Sequence, residues 1–263
     1  MPIIDTDARP PFGDTEIDHI GILTQALFFE RLQKANINTA AGTLLLPSSL
    51  CSAPMTDDLL RRVNGAALAR ADTDRSRYIP GIHVTPELSA LSCAEIERYA
   101  AEGVSILGEI QSGWLDDPQY DQPLFEIFAC AAQYRMTVSI HPAHPDRLRM
   151  WADRFPALNF MYGDRECRIS PAQSEILLRE YPNLYLRLSQ DIFLANYYLH
   201  TYADRFPVNQ LLFGSGYPHS NPAARTAACL WELRDQTEET KRKIFYENAA
   251  ACFAGTCEGQ VIV

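Results

Sequence analysis

Short apolar runs alternate with longer segments of helical periodicity along the whole chain. Consecutive apolar and β-branched residues predict strands, whereas apolar residues that recur at three- and four-residue spacing predict helices. The predicted strands are 2–7, 43–46, 78–84, 104–109, 136–141, 158–162, 184–188 and 210–214. The predicted helices are 17–34, 57–70, 91–101, 123–135, 145–153, 171–180, 191–204, 222–234 and 238–253.

This alternation predicts an α/β fold, a single (β/α)8 TIM barrel over residues 1–263. Eight strand–helix units in 263 residues give about 33 residues per unit, close to the size of one βαβ crossover. Several strands are nearly continuous apolar runs, which is typical of sheets covered on both faces. An open doubly wound sheet is the alternative, but the chain contains neither of the glycine-rich phosphate-binding motifs that would favour it.

Composition limits the partners of the protein. Its 33 acidic and 23 basic residues give a net charge of −10, and the longest basic run covers only residues 241–243. A duplex-binding protein needs a basic face to neutralise phosphates, so nucleic acid is not an expected partner. No apolar stretch approaches the roughly 20 residues of a membrane-spanning helix, so no membrane partner is expected.

The seven cysteines are scattered and include no Cys-x-x-Cys pair. This distribution favours reduced thiols in a cytoplasmic protein over a disulfide framework or a zinc knuckle. Cys130 and Cys229 lie on apolar stripes of predicted helices and are interpreted as core residues. A small molecule is the expected substrate or ligand, and a homodimer is the base-rate expectation.

Polar side chains are concentrated at one end of the predicted barrel. In such barrels the chemistry takes place at the carboxyl ends of the strands, because the loops there converge. A single histidine or aspartate at a strand end most often caps a helix or bonds a loop amide. Four of the six histidines fall at these ends, however, and this concentration favours a site. The residues concerned are Asp5, Asp7, Arg9, His83, Glu109, His141, His144, Asp164, Tyr217 and His219.

Five segments, in order, carry a resemblance to a known family. Residues 3–9 are similar to an Ile-Asp-x-His-x-His start, 107–110 to a fourth-strand Gly-Glu-Ile and 138–142 to a fifth-strand His-Pro. Residues 213–219 match Phe-Gly-Ser-Asp-Tyr-Pro-His at all but the fourth position, and 244–249 match a terminal helix. Together these segments resemble the amidohydrolase superfamily, in its amidohydrolase-related branch of metal-dependent hydrolases and decarboxylases.

The resemblance implies a metal site that this chain alters. Members of the family hold one or two divalent ions with the His-x-His pair, histidines after strands five and six, and an aspartate after strand eight. That aspartate also handles the proton of the metal-bound water. Here the His-x-His positions hold Asp7 and Arg9, the sixth-strand position holds Asp164, and the eighth holds Gly216. Because Arg9 brings a fixed positive charge to a ligand position, no standard catalytic metal is expected.

The first functional hypothesis is a hydrolase that cleaves a C–N or C–O bond of a small organic substrate in a metal-free site. Arg9 then stands in for the missing cation, pairing with Asp7 or Glu109 when the site is empty and with an anionic group of the substrate when it is filled. His141 is the expected acid or base. The residues expected to contact the substrate are His83, Asp164, Tyr217 and His219.

Three alternatives stay open at this stage. A carboxylate-rich site made of Asp7, Glu109, His141 and Asp164 would suit manganese or magnesium better than zinc. A decarboxylase or lyase would use the same mouth of the barrel. A noncatalytic relative would bind a small ligand or a partner protein there. The sequence decides neither the cofactor nor the substrate.

Overall fold

Eight parallel strands form a nearly closed barrel with helices between them. The computed structural model describes residues 1–17, 20–51, 54–141, 144–163, 167, 169–189, 199–200 and 204–254. The barrel strands, in spatial order, are β1 (Ile4–Asp5), β4 (Thr39–Gly42), β5 (Tyr78–Ile82), β6 (Ile106–Ile110), β7 (Thr137–Ile140), β8 (Asn159–Tyr162), β9 (Leu184–Arg187) and β10 (Leu211–Leu212). Every neighbouring pair is parallel. The predicted barrel is therefore confirmed.

Helices and one hairpin complete the described chain. The hairpin is formed by β2 (Thr15–Ile17) and β3 (Gly21–Leu23). The helices are α1 (Gln25–Lys34), α2 (Ser48–Cys51), α3 (Asp57–Thr73), α4 (Ser89–Ala101), α5 (Ser112–Leu115), α6 (Asp121–Gln133), α7 (Pro145–Arg154), α8 (Pro171–Glu180), α9 (Pro222–Glu232), α10 (Glu238–Arg242) and α11 (Asn248–Phe253). No helix in the described part of the chain is both long and apolar enough to cross a membrane.

The helix predicted at 17–34 begins too early. Residues 15–17 and 21–23 form the paired strands β2 and β3 instead, and the helix starts only at Gln25. Thr24 has extended backbone angles, and its side chain accepts a hydrogen bond from the Leu27 N–H, which makes it the N-cap. The apolar spacing across the hairpin matches a helical stripe only by coincidence.

The second barrel strand also differs from its prediction. It covers Thr39–Gly42, not 43–46. Ala40 and Ala41 are fully buried between neighbouring strands, where small side chains suit the crowded interior. The predicted helix at 238–253 is interrupted by a π-helical turn at 243–247, because the Ile244 carbonyl accepts a hydrogen bond from the Phe213 N–H of the last strand's loop. The helix predicted at 191–204 lies largely outside the described residues.

Hydrogen bonds join the first strand of the barrel to the last, and a helix closes the amino-terminal end of the barrel. The Thr6 N–H and hydroxyl both donate to the Phe213 carbonyl, joining the first strand to the last. At the amino-terminal end of the strands, helix α11 plugs the interior: the Phe253 and Cys252 carbonyls accept hydrogen bonds from Ser105 and Thr137. An apolar layer above them includes Ile4, Ala41, Ile106, Met161 and Leu212. Polar side chains available for chemistry therefore lie at the opposite end of the barrel, which is called the mouth below.

We predict that Gly108→Ala destabilises the barrel by about 3 kcal/mol. Gly108 has a φ of +132°, and a Cβ there would lie 2.4 Å from the Ser139 carbonyl oxygen on β7. Gly113→Ala is the matched control, because nothing lies within 4 Å of its Cβ position. Urea unfolding measures both, and superimposable curves for the two variants would show that strands β6 and β7 do not need this close approach.

Candidate active site

Asp5 fastens the first strand to the loop that follows the last one. Its Oδ1 accepts hydrogen bonds from the Asp7 N–H at 3.0 Å and the Ser215 N–H at 2.9 Å. Burial raises the pKa of Asp5 to about 6; hydrogen bonds from Ser215 and Asp7 oppose the rise, while the Asp7 charge adds to it. Asp5 therefore fixes the backbone from which Asp7 and Arg9 project.

A buried arginine joins two carboxylates at the centre of the mouth. The Arg187 side chain, at the end of β9, is 0% exposed. Its Nη1 lies 3.8 Å from Asp7 Oδ1 and 3.6 Å from Glu109 Oε1, and it also donates to the Thr6 carbonyl at 3.4 Å. Three strands thus contribute to one charge cluster, made of Asp7, Glu109 and Arg187, which compensates charges that burial would otherwise disfavour.

Glu109 and His141 form an ion pair beside this cluster. The His141 Nε2 contacts Glu109 Oε2, and the Ser139 hydroxyl donates to Oε1 at 2.9 Å. Burial raises the pKa of Glu109, but the charges of His141 and Arg187, the hydrogen bond from His141 and the charge of Arg9 together hold it well below its usual range. Glu109 is therefore ionised at neutral pH, which favours the protonated form of an imidazole in contact with it.

His83 and Arg9 lie at the same mouth. His83 Nε2 is 2.8 Å from the Leu44 carbonyl oxygen. Burial and the Arg9 charge lower the pKa of His83, outweighing the Leu44 bond and the Glu109 charge, which raise it. A neutral His83 must donate from Nε2 to the carbonyl, so its Nδ1 is an acceptor. Arg9 is half-buried, and its charge acts on both His83 and Glu109.

The remaining predicted residues are placed differently. The Tyr217 ring is buried against Phe28 of α1, with ring centroids 5.1 Å apart, on the outer side of the barrel wall. His219 and His144 are exposed. Asp164 lies outside the described residues. The structure thus brings together Asp7, Arg9, His83, Glu109 and His141. The substrate contacts predicted for Tyr217 and His219 are not supported in the same way and stay predictions.

Sequence reasoning missed Arg187, the residue at the centre of the cluster. It selected Arg9 as the cation that pairs with Asp7 or Glu109, but Arg187 makes both contacts. A signal was present: Arg187 is a charged residue within the otherwise apolar predicted strand 184–188. In a sheet covered on both faces, a charged strand residue needs partners in the interior.

The donor set of the described residues, which do not include Asp164, does not fit a resident divalent metal. Among the described residues, no group of three or more His, Cys, Asp or Glu side chains converges as metal ligands do. The two carboxylates nearest the centre already contact the Arg187 guanidinium. A divalent ion about 4 Å from that guanidinium would be repelled by about 8 kcal/mol at an effective dielectric near 20.

The glycine at position 216 also disfavours a metal ion at the mouth. A Cβ placed there would lie 3.7 Å from Asp7 Oδ2, so an aspartate in its place would direct a second carboxylate at Asp7. The chain therefore lacks one anionic donor where the resemblance implies one, and Arg187 places a buried cation beside the two carboxylates. Both changes lower the affinity of the mouth for a metal ion.

Solved structures of the same fold include proteins with a known activity. A TIM-barrel protein from Bordetella bronchiseptica has a TM-score of 0.73 at 17% identity, covering 97% of this chain and 99% of that chain. A 2,6-dihydroxybenzoate decarboxylase from Rhizobium has a TM-score of 0.69 at 14% identity, with coverages of 96% and 98%. A dihydroxybenzoic acid decarboxylase from Polaromonas, solved with manganese and 2-nitroresorcinol, has a TM-score of 0.63 at 17% identity, with coverages of 96% and 96%.

The fold and its charged mouth define a TIM-barrel protein with a candidate acid–base site. A family model described as Amidohydrolase matches residues 51–254. The chain therefore belongs to the amidohydrolase family, as its motifs predicted. No curated protein matches the sequence.

We predict that Arg187→Met lowers the free energy of unfolding by about 3–5 kcal/mol, because Asp7 and Glu109 lose the cation between them. Adding Asp7→Asn should restore part of the loss by removing one of the two negative charges. Arg62→Met is the control; both Arg62 and its partner Asp58 are exposed, so no measurable change is expected. Chemical denaturation measures all variants, and a double variant no more stable than Arg187→Met would indicate lost packing, not lost charge.

We predict that Asp5→Asn changes how stability depends on pH. The folded pKa of about 6 exceeds the ordinary value of 3.8, so the stability that protonated Asp5 contributes is fully present below about pH 4. It is lost as the pH rises through 6. Relative to wild type, Asp5→Asn should therefore gain about 2–3 kcal/mol between pH 4 and 7.

Urea unfolding at several pH values measures this difference, with the exposed Asp58→Asn as the control. A constant difference between Asp5→Asn and wild type across the range would show that folding does not perturb the Asp5 carboxyl group.

Proposed function

We propose that this chain is a decarboxylase that removes CO₂ from a small organic carboxylic acid at the barrel mouth, by acid–base chemistry without a resident divalent metal. The observation that carries the proposal is the buried Glu109–His141 ion pair beside Arg187 and Arg9. The pair offers a proton donor, and the arginines favour an anionic substrate.

Among the described residues of the mouth, Arg9 is the cation that we expect to bind the substrate. Arg187 is fully buried and is engaged by Asp7 and Glu109, whereas Arg9 is half-buried. The charge of Arg9 acts on both His83 and Glu109. An anionic group that binds Arg9 therefore lies beside the acid–base pair. A neutral His83, fixed by its bond to the Leu44 carbonyl, presents an acceptor nitrogen for a substrate hydroxyl.

Proton transfer from His141 balances the proposed reaction. The carbon that bears the carboxylate takes a proton from the His141 imidazolium, and the bond from that carbon to the carboxylate breaks. The electron pair of that bond stays with the substrate carbon, and CO₂ leaves. His141 becomes neutral and recovers a proton from solvent, while ionised Glu109 stabilises its charged form throughout. The net change converts one carboxylate and one proton to one C–H bond and one CO₂.

Two features favour this reaction over hydrolysis. Hydrolysis needs a base that takes a proton from attacking water. The family resemblance implies that a carboxylate after strand eight is this base, but that position holds Gly216. The Glu109 carboxylate already contacts His141, Ser139 and Arg187. An imidazolium paired with a carboxylate supplies an acid, which decarboxylation requires.

The structural neighbours guide the choice of substrates. Those from Rhizobium and Polaromonas are decarboxylases of dihydroxybenzoates. Hydroxylated benzoic acids are therefore the first compounds to test here, since they combine a carboxylate for Arg9 with a hydroxyl group for His83. Aliphatic carboxylic acids, esters, lactones and amides complete the panel.

We predict that wild-type protein releases CO₂ from a member of this panel in the presence of EDTA, with one deuteron entering the substrate carbon per CO₂ when the reaction is run in D₂O. His141→Ala and Glu109→Gln should each lower kcat by about 10²–10⁴-fold, because each removes or disables the proton donor. Arg9→Gln should mainly raise KM. Coupled CO₂ detection and mass spectrometry of the product measure these effects.

His144→Ala is the matched control: it changes a nearby but exposed histidine and should leave kcat unchanged. Loss of CO₂ release on adding EDTA would contradict the metal-free mechanism. Turnover of esters or amides without CO₂ release would identify a hydrolase instead, and binding without turnover of any compound would identify a noncatalytic relative.

A further inference from the structure

Two cysteines from neighbouring helices meet on the outside of the barrel. Cys93 lies on α4 and Cys130 on α6, and their Sγ atoms are 2.6 Å apart. Both residues are half-buried, so small solutes approach them more readily than they approach a core residue. Cys130 is therefore not the simple core residue that its position on an apolar stripe predicted.

The packing of α4 against α6 places the two thiols close together. The Ser89 hydroxyl, at the start of α4, donates to the Glu126 carboxylate of α6 at 3.0 Å. The Cys93 thiol lies 3.6 Å from the Glu126 carbonyl oxygen. Glu126 and Cys130 are four residues apart and so lie on the same face of α6. The helix register thus sets the two thiols opposite each other.

Two other cysteines of the described chain are buried more deeply. Cys229 lies on α9, and Cys252 lies at the base of the barrel beside Thr137. Burial raises the pKa of both thiols. They serve as internal references, because an oxidant that reaches folded protein should modify them last.

We propose that Cys93 and Cys130 are a modification site at which a peroxide or a small disulfide forms a reversible disulfide between α4 and α6. With a peroxide, one sulfur attacks an oxygen of the O–O bond, giving a sulfenic acid and water. The second sulfur then displaces the hydroxyl group as a second water, and the S–S bond forms. Two thiols and one hydrogen peroxide give one disulfide and two waters. With a small disulfide, one sulfur attacks it and releases one small thiol, and the second sulfur then displaces the other small thiol from the mixed disulfide. Two protein thiols and one small disulfide thus give one protein disulfide and two small thiols, and a dithiol reductant reverses the link.

We expect the disulfide between Cys93 and Cys130 to form slowly, so the pair does not act as a rapid redox sensor. Burial, the hydrogen bond with Cys130 and the nearby Glu126 charge raise the pKa of Cys93 to about 12. Since the thiolate is the attacking species, a raised pKa slows both formation and exchange.

The link would tie together the helices that follow β5 and β6. It would close a loop from residue 93 to residue 130, which contains Glu109 on β6. Closing a loop of this size restricts the unfolded chain, and we expect the melting temperature to rise by roughly 5–10 °C. This inference is independent of the proposed decarboxylase activity.

We predict that prolonged treatment of folded, full-length protein with oxidised glutathione or hydrogen peroxide produces this disulfide. Trypsin cleavage after Arg77, Arg98 and Arg135 places Cys93 in peptide 78–98 and Cys130 in peptide 99–135, and each peptide contains one cysteine. Non-reducing mass spectrometry should recover the two peptides linked, and reduction should separate them. Oxidised wild-type protein should also melt at the higher temperature.

Cys93→Ser and Cys130→Ser should each abolish the linked peptides and the shift in melting temperature, whereas Cys229→Ser should retain both. The comparison of oxidised with reduced wild-type protein does not depend on any variant folding well. Failure to recover the linked peptides after oxidation, or linkage of either peptide mainly to other cysteines, would overturn the proposal. An unchanged melting temperature despite full linkage would overturn its stabilising role.

Discussion

The buried guanidinium of Arg187 is the constraint on which the mouth of the barrel depends. Two carboxylates, Asp7 and Glu109, are buried close together, and burial of like charges without a cation is strongly unfavourable. Arg187 lies between them, and the three residues lie on or just after three different strands. The charge balance of the site is therefore also a link between β1, β6 and β9, so any change to one member alters both the barrel and its chemistry.

This arrangement changes which chemistry the family fold can support. A guanidinium stabilises an anion as a fixed positive charge, but it stays protonated at all ordinary pH values and cannot lower the pKa of a bound water as a metal ion does. Reactions that depend on an activated water lose their nucleophile. Reactions that need an anion-binding cation and a proton donor keep both, in Arg9 and in the Glu109–His141 pair. The metal-free, arginine-containing site proposed above would therefore favour protonation at carbon over hydrolysis.

The sequence could predict the barrel because its strands and helices differ in period and because motifs recur in family order. It could not predict β4, since Ala40 and Ala41 have weak strand preference and become strand residues only through packing between β1 and β5. Nor could it separate strands β2 and β3 from α1, because tertiary context overrides a helix-like spacing there. Five site residues followed from the rule that polar groups at strand ends converge. Arg187 did not, because it lies inside the predicted strand 184–188 and not at its end, and its partners are far away in sequence.

The position of Arg9 follows from a chain of backbone contacts that also explains Tyr217. Asp5 accepts the Ser215 N–H, the Ser215 hydroxyl accepts the Tyr217 N–H, and the Tyr217 carbonyl accepts the Arg9 N–H at 3.1 Å. The Tyr217 ring, packed on Phe28, anchors this loop to α1. Tyr217 therefore acts on Arg9 through the backbone, which accounts for a buried aromatic side chain at a motif position that first suggested substrate contact. Since Gly216 belongs to the same loop, the segment that lacks the carboxylate implied by the family resemblance is also the segment that orients the cation.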